Sequence, residues 1–167
     1  MTLIKTRARG LKLDDTFAFT GTVSGAGGGK INQVITDEES TEHSTNSSTI
    51  AATNYTLNIT PSAPTSKVLI LWDAPFRRNN SNASTGCEIR LYKNGSSHKI
   101  IHNYFTLTLP EKIINRANFI YLDSPSTTSQ VTYAIYWKLY GAAESGGFIM
   151  NDTSAIGTLT AIEVLAW

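Results

Sequence analysis

Pro125-Ser126-Thr127-Thr128-Ser129-Gln130-Val131-Thr132-Tyr133-Ala134-Ile135-Tyr136-Trp137 passes from a small polar corner into an alternating run. Val131, Tyr133, Ile135, Trp137 and Leu139 fall on one side; Thr132, Ala134, Tyr136, Lys138 and Tyr140 fall on the other. A period of two marks a β-strand, because successive side chains leave opposite faces. The same phrase stands 63 residues earlier, where Pro64-Thr65-Ser66-Lys67-Val68-Leu69-Ile70-Leu71-Trp72 enters an apolar run through Thr-Ser-x-Val. Lys67–Trp72 is apolar on both faces, the pattern of a central strand. Both copies describe long strands joined by Ser/Thr/Pro corners.

Outward from these two runs the chain keeps the same grammar. Ile31–Thr36 and Ile50–Thr60 read as strands, the second with Tyr55, Leu57 and Ile59 on one face and a break at Pro61–Pro64. Cys87–Lys93 and Ser96–Phe105 flank Asn94-Gly95, a strong hairpin signal because both central residues of a type I′ turn need positive φ. Ala117–Leu122 and Gly157–Trp167 add two more strands, and Leu107–Asn115, with Pro110, has room for one helical turn. Asp37–Ser44 reads as an acidic loop, Arg77–Asn82 as a polar one and Gly141–Gly147 as a third. About eight strands with frequent turn signals predict an all-β, jelly-roll-like antiparallel β-sandwich. Residues 30–167 form that domain. Its last strand is fairly apolar on both faces, which predicts a covering partner on one of them.

Residues 1–29 read as an extended N-terminal arm. Lys5, Arg7, Arg9 and Lys12 crowd its start, Thr16–Val23 alternates like a strand, and Gly25, Gly27, Gly28 and Gly29 make a hinge. The first ten residues lack the 7–15-residue apolar core of a secretory signal. Net charge is +1, so nothing draws the chain toward nucleic acid or an anionic membrane. Charged residues are 16% against about 25% in ordinary domains, and the polarity comes from Ser, Asn and 22 Thr. Cys87 is the only cysteine, which excludes an intrachain disulfide. Seven Asn-x-Ser/Thr sequons, including Asn58, Asn94 and Asn151, follow from that composition rather than marking glycans.

The sequence carries no catalytic constellation. His98 and His102 sit four apart on an expected strand, about 13 Å from each other, too far to share a metal. Cys87 alternates with Ile89 and Leu91 and reads as a buried thiol. There is no Gly-x-Ser-x-Gly elbow, and Gly27-Gly28-Gly29-Lys30 lacks the spacing of a phosphate loop. We expect no enzyme activity, no cofactor and no metal. Tyr136, Tyr140 and Trp167 are candidates for contact with a neighbouring subunit, since aromatics are enriched at interfaces.

Four phrases in order carry a resemblance. They are Gly29-Lys30-Ile31-Asn32-Gln33-Val34, Ile59-Thr60-Pro61 through Ser66-Lys67-Val68-Leu69-Ile70, Leu122-Asp123-Ser124-Pro125 through Tyr133, and Leu159-Thr160-Ala161-Ile162-Glu163-Val164. Across residues 29–167 they resemble virion structural proteins of marine tailed phages, of the tail-fibre and capsid-decoration type. The resemblance implies a β-sandwich or jelly-roll module, usually homotrimeric, on the surface of the particle and without catalysis. Read as complete from Met1, so short a chain fits a capsid decoration or cement protein better than a long fibre. Its partners would be itself and the major capsid protein or another virion protein. Lys5, Arg7 and Arg9 would meet an acidic capsid surface, while Phe17 and Phe19 would add a strand to a neighbour's sheet edge. The alternative is a tail-fibre or receptor-binding tip that holds host surface glycan through loops 77–84 and 141–147.

Overall fold

A computed structural model describes residues 31–78, 86–105, 115–140 and 147–165. Ten strands run through them: β1 Ile31–Glu39, β2 His43–Thr45, β3 Ala51–Ile59, β4 Lys67–Arg78, β5 Gly86–Lys93, β6 Ser96–Phe105, β7 Asn115–Asp123, β8 Val131–Tyr140, β9 Phe148–Met150 and β10 Gly157–Val164. A single 3-10 turn, Asp152–Ser154, lies between the last two.

The pairing is nested about one tight turn. β5 pairs with β6, β4 with β7, β3 with β8 and β1 with β10, all antiparallel. The chain is thus one long hairpin centred on Asn94-Gly95, whose φ values of 50° and 76° are the positive pair that the turn chemistry demands. That hairpin is rolled up. β10 also pairs with β4, and β5 with β8, which closes two sheets. In the first, β9 lies along the edge of β4 beyond the end of β10, so the order across it is β7, β4, β10 with β9, then β1 with β2. The second is β3, β8, β5, β6. A six-stranded and a four-stranded layer, interleaved through nested pairs, have the topology of a jelly roll, as the sequence predicts.

The two copies of Thr-Ser-x-Val open one inner strand in each sheet, β4 and β8. Their inward residues meet across the interior: Val68, Ile70, Trp72, Ala74 and Phe76 face Val131, Tyr133, Ile135, Trp137 and Leu139, all buried. Tyr55 packs edge-on to Trp72 at 5.9 Å, and Phe76 stacks on Phe148 at 5.0 Å. Each fully buried side chain of this size contributes roughly 1.5–3 kcal/mol. Gly157 is required where β10 starts, because a Cβ there would stand 1.9 Å from the Tyr55 hydroxyl. That hydroxyl donates to Asn151 Oδ1 at 2.5 Å, and Asn151 is wholly buried, so its sequon is closed to any glycan.

Three expected boundaries shift. Asp37, Glu38 and Glu39 belong to β1 rather than to an acidic loop, and Asp37 Oδ2 accepts the Thr56 N–H at 2.9 Å. Arg77 and Arg78 extend β4 instead of opening a polar loop, because β9 supplies a partner there. β2 and β9 are three-residue strands, too short to show periodicity. The expected arm, residues 1–29, and the helical turn expected over 107–115 lie outside the described residues except for Asn115, which starts β7.

Candidate functional site

Cys87 is fully buried, and burial drives its thiol pKa far up, which suppresses the nucleophilic thiolate. Among the described residues no group of three or more His, Cys, Asp or Glu side chains converges on a point. His98 is committed elsewhere, with Nε2 3.2 Å from Asp123 Oδ1 and its ring edge-on to Tyr121.

Two buried carboxylates act as structural fasteners. Glu163, on β10, accepts from Asn32 Nδ2 (2.8 Å), Gln33 Nε2 (2.6 Å), the Ser62 N–H (2.7 Å) and Ser62 Oγ (2.6 Å). Burial pushes its pKa up, but these four donors outweigh that and hold it down at about 2. It therefore ties β1 and the 61–66 corner to β10. Asp123, at the end of β7, accepts from the Tyr133 hydroxyl at 2.5 Å and pairs with Lys93 Nζ at 2.7 Å. Burial raises this carboxyl, and the Lys93 and Tyr133 hydrogen bonds overcome it, so it stays below the usual range. The contact spans the two sheets, since Tyr133 and Lys93 belong to β8 and β5.

The surfaces that could bind something are the two outer sheet faces. On the first sheet, register places Val34, Ile162, Leu69 and Leu122 side by side across β1, β10, β4 and β7. The next row reads Thr36, Thr160, Leu71, Ile120. Ile120 is 72% exposed, Val34 56% and Leu122 47%. A shallow depression of about 340 Å³ lies between Leu71, Ile120, Thr160 and Ile162. An antiparallel sandwich ordinarily turns a polar face outward, so a continuous exposed apolar row is a signal of contact.

The outer face of the second sheet is polar and internally satisfied. Glu88, almost completely buried, takes the Arg90 guanidinium and Lys138 Nζ, the latter at 3.4 Å. Tyr136 stacks on Tyr92, ring centroids 3.8 Å apart and 15° from parallel. Tyr136, expected at a subunit contact, lies on this face beside a ring from β5. Tyr140 ends β8, and its side chain is not among those described. Lys5, Arg7, Arg9, Phe17, Phe19 and Trp167 lie outside the described residues, as do 79–84 and 141–146 of the two expected glycan loops.

Sequence reasoning missed the apolar row itself. Its signal was present in Val68-Leu69-Ile70-Leu71-Trp72 and Phe119-Ile120-Tyr121-Leu122, both apolar on alternate and intervening positions. What lacked was the pairing that sets Leu69 beside Leu122.

No protein-family model matches the sequence, and no match to it was found among curated protein sequences. The fold does have likenesses among solved structures. A chain of the infectious bursal disease virus VP2 subviral particle superposes with a TM-score of 0.54 at 13% identity, covering 92% of this chain and 36% of that one. T=1 particles derived from infectious bursal virus give 0.50 at 13% identity over 80% of this chain, again 36% of the other. The chain thus spans about a third of the length of those it matches. At that identity the likeness establishes the antiparallel, jelly-roll-like all-β fold.

Proposed function

We propose that this chain is a non-enzymatic structural protein of a virion, a jelly-roll subunit that sits on the particle surface of a tailed phage. In this reading it is a homotrimeric capsid decoration or cement protein, anchored through residues 1–29. The observation that carries the proposal is the exposed Val34–Ile162–Leu69–Leu122 row on the β7–β4–β10–β1 face. An exposed apolar patch of that kind marks a surface that contacts a neighbour. The likeness to chains whose structures are of virus-derived particles supports the same direction, as does the tailed-phage resemblance of residues 29–167. The partners are further copies of the chain and a capsid protein. The basic start of the chain, Lys5, Arg7 and Arg9, supplies charge for an acidic capsid surface, and Phe17 and Phe19 suit strand addition at a sheet edge.

The test is attachment to particles. Full-length protein should co-sediment with capsids that lack it, whereas protein deleted for residues 1–25 should remain folded and stay in the supernatant. Full occupancy by the deleted protein overturns the anchoring role, and failure of the full-length protein to bind any capsid overturns the decoration reading.

A further inference from the structure

We propose that the outer face of the β3–β8–β5 sheet holds a neutral saccharide, in the groove between the Tyr92–Tyr136 ring pair and β3. The groove encloses about 400 Å³, within the range of small-molecule sites. Three features of this face make it. Ala134 on β8 and Ala52 on β3 leave the floor without bulk. The ladder between β3 and β8 slips between Ala52 and Thr56, which breaks the flat surface there. Tyr92 and Tyr136 stand together as a wall of two near-parallel rings, 3.8 Å between centroids, and among the described residues neither hydroxyl has a hydrogen-bond partner.

The polar groups at the lower end are set in advance. The Thr132 N–H donates to Asn94 Oδ1 at 2.9 Å, and Thr132 Oγ1 donates to Asn58 Oδ1 at 2.6 Å. Both carboxamides therefore spend an oxygen on β8; Asn94 lines the groove, and among the described residues its NH2 donors have no partner. The nearby charges are paired: Arg90 and Lys138 both engage Glu88. No charged side chain lines the groove.

An aromatic wall, a small-residue floor and uncharged amide and hydroxyl donors fit one ligand chemistry. A pyranose has an apolar C–H face to lay on a ring and hydroxyl edges to meet amides, and ring hydroxyls add adaptable contacts at low entropic cost. A phosphate would want an unpaired cation, and a lipid chain would want an apolar enclosure; the groove offers neither. The site is independent of the particle reading. It lies on the opposite side of the sandwich from the apolar row, so both can be occupied at once.

The experiment is titration of the isotope-labelled full chain with neutral trisaccharides of glucose, galactose, mannose and N-acetylglucosamine, followed by amide shifts and saturation transfer. One of the four should bind with a Kd on the order of 1 mM and shift the amides of Thr56, Thr132 and Ala134. Tyr136→Ala should weaken that binding about tenfold. Ala134→Leu should do so as well by filling the floor while both rings remain, which keeps the test alive if the first variant fails to fold. Ile120→Lys, on the other face, should leave it unchanged. The proposal is overturned if none of the four binds at about 20 mM, if binding survives both groove variants, or if the shifts map to another surface. Loss of capsid attachment would not affect these outcomes, and absence of sugar binding would not affect capsid attachment.

Discussion

The two outer faces of this sandwich are made of strands of similar length and yet solve opposite problems. Across β3, β8 and β5 the rows read Ala52–Tyr136–Arg90, Thr56–Ala134–Tyr92 and Asn58–Thr132. Rings stack on rings, the buried Glu88 has two cations, and carboxamides cap a strand N–H. That face is at rest in water. Across β1, β10, β4 and β7 the rows instead carry Val34, Ile162, Leu69, Leu122, Leu71 and Ile120. Nothing among the described residues covers them. The difference is why the proposed subunit contact falls on the β7–β4–β10–β1 face and the proposed saccharide groove on the other.

Breaking the apolar face should have the largest effect. Ile120 and Leu122 stand side by side on the edge strand and are 72% and 47% exposed. Replacing exposed side chains perturbs folding by only about 0.5 kcal/mol. If a second subunit covers them, Ile120→Lys with Leu122→Lys removes about 4 kcal/mol of association, close to a thousandfold. Sedimentation should show the proposed trimer falling to monomer at micromolar concentration, and Tyr92→Ala on the other face should leave the mass unchanged. The reverse pattern would exchange the roles of the two faces.

The next effect in size comes from acid, and it too should separate the faces. Glu163 pins β1, which brings Val34 to the apolar row. Its carboxyl is held at about 2 against an ordinary 4.5. A carboxyl depressed by folding stabilises the folded state in full above its unfolded pKa, and that contribution drains away as pH falls from 4.5 toward 2. The loss should be roughly 2–3 kcal/mol. Urea midpoints of the protein and of Glu163→Gln should lie far apart at pH 7 and converge near pH 2.5. Asp123 is depressed as well and titrates in acid, so the convergence of the two curves, rather than the slope of either, reports Glu163.

Much of this architecture was legible because period-two alternation survives in a long strand. Tyr55, Leu57 and Ile59, and Val131 through Leu139, point inward as their spacing says. The Asn94-Gly95 turn announced the centre of the rolled hairpin. What sequence alone could not show was anything that depends on a partner strand. Asp37–Glu39 looked like a solvated loop because three acids in a row have no apolar neighbour; β10 pairs with them and makes a strand. Glu163 looked like one polar residue in an alternating run, and only the 61–66 corner and β1 turn it into a clamp. Tyr92 and Tyr136 are 44 residues apart in the chain and meet because Tyr92 pairs with Ala134, two positions along the strand. The apolar face is hidden for the same reason, since register, not composition, assembles it.

The smallest effect gives the finest reading of where the contact ends. Thr36 and Thr160 interrupt the apolar face with a hydroxyl pair, Oγ1 to Oγ1 at 3.1 Å, on β1 and β10. Replacing both partners of a hydrogen bond by apolar groups of the same shape is nearly neutral for folding, so Thr36→Val with Thr160→Val should leave the urea midpoint where it is. It also joins Val34 and Ile162 to Leu71 and Ile120 without a polar break. If the neighbouring subunit lies across the whole sheet, association should tighten by about 1 kcal/mol, roughly fivefold. If the neighbour reaches only β4 and β7, the new methyl groups stay in water and the association constant does not move, even though Ile120→Lys with Leu122→Lys still dissociates the assembly. The pair of results therefore places the boundary of the contact on one side or the other of β10.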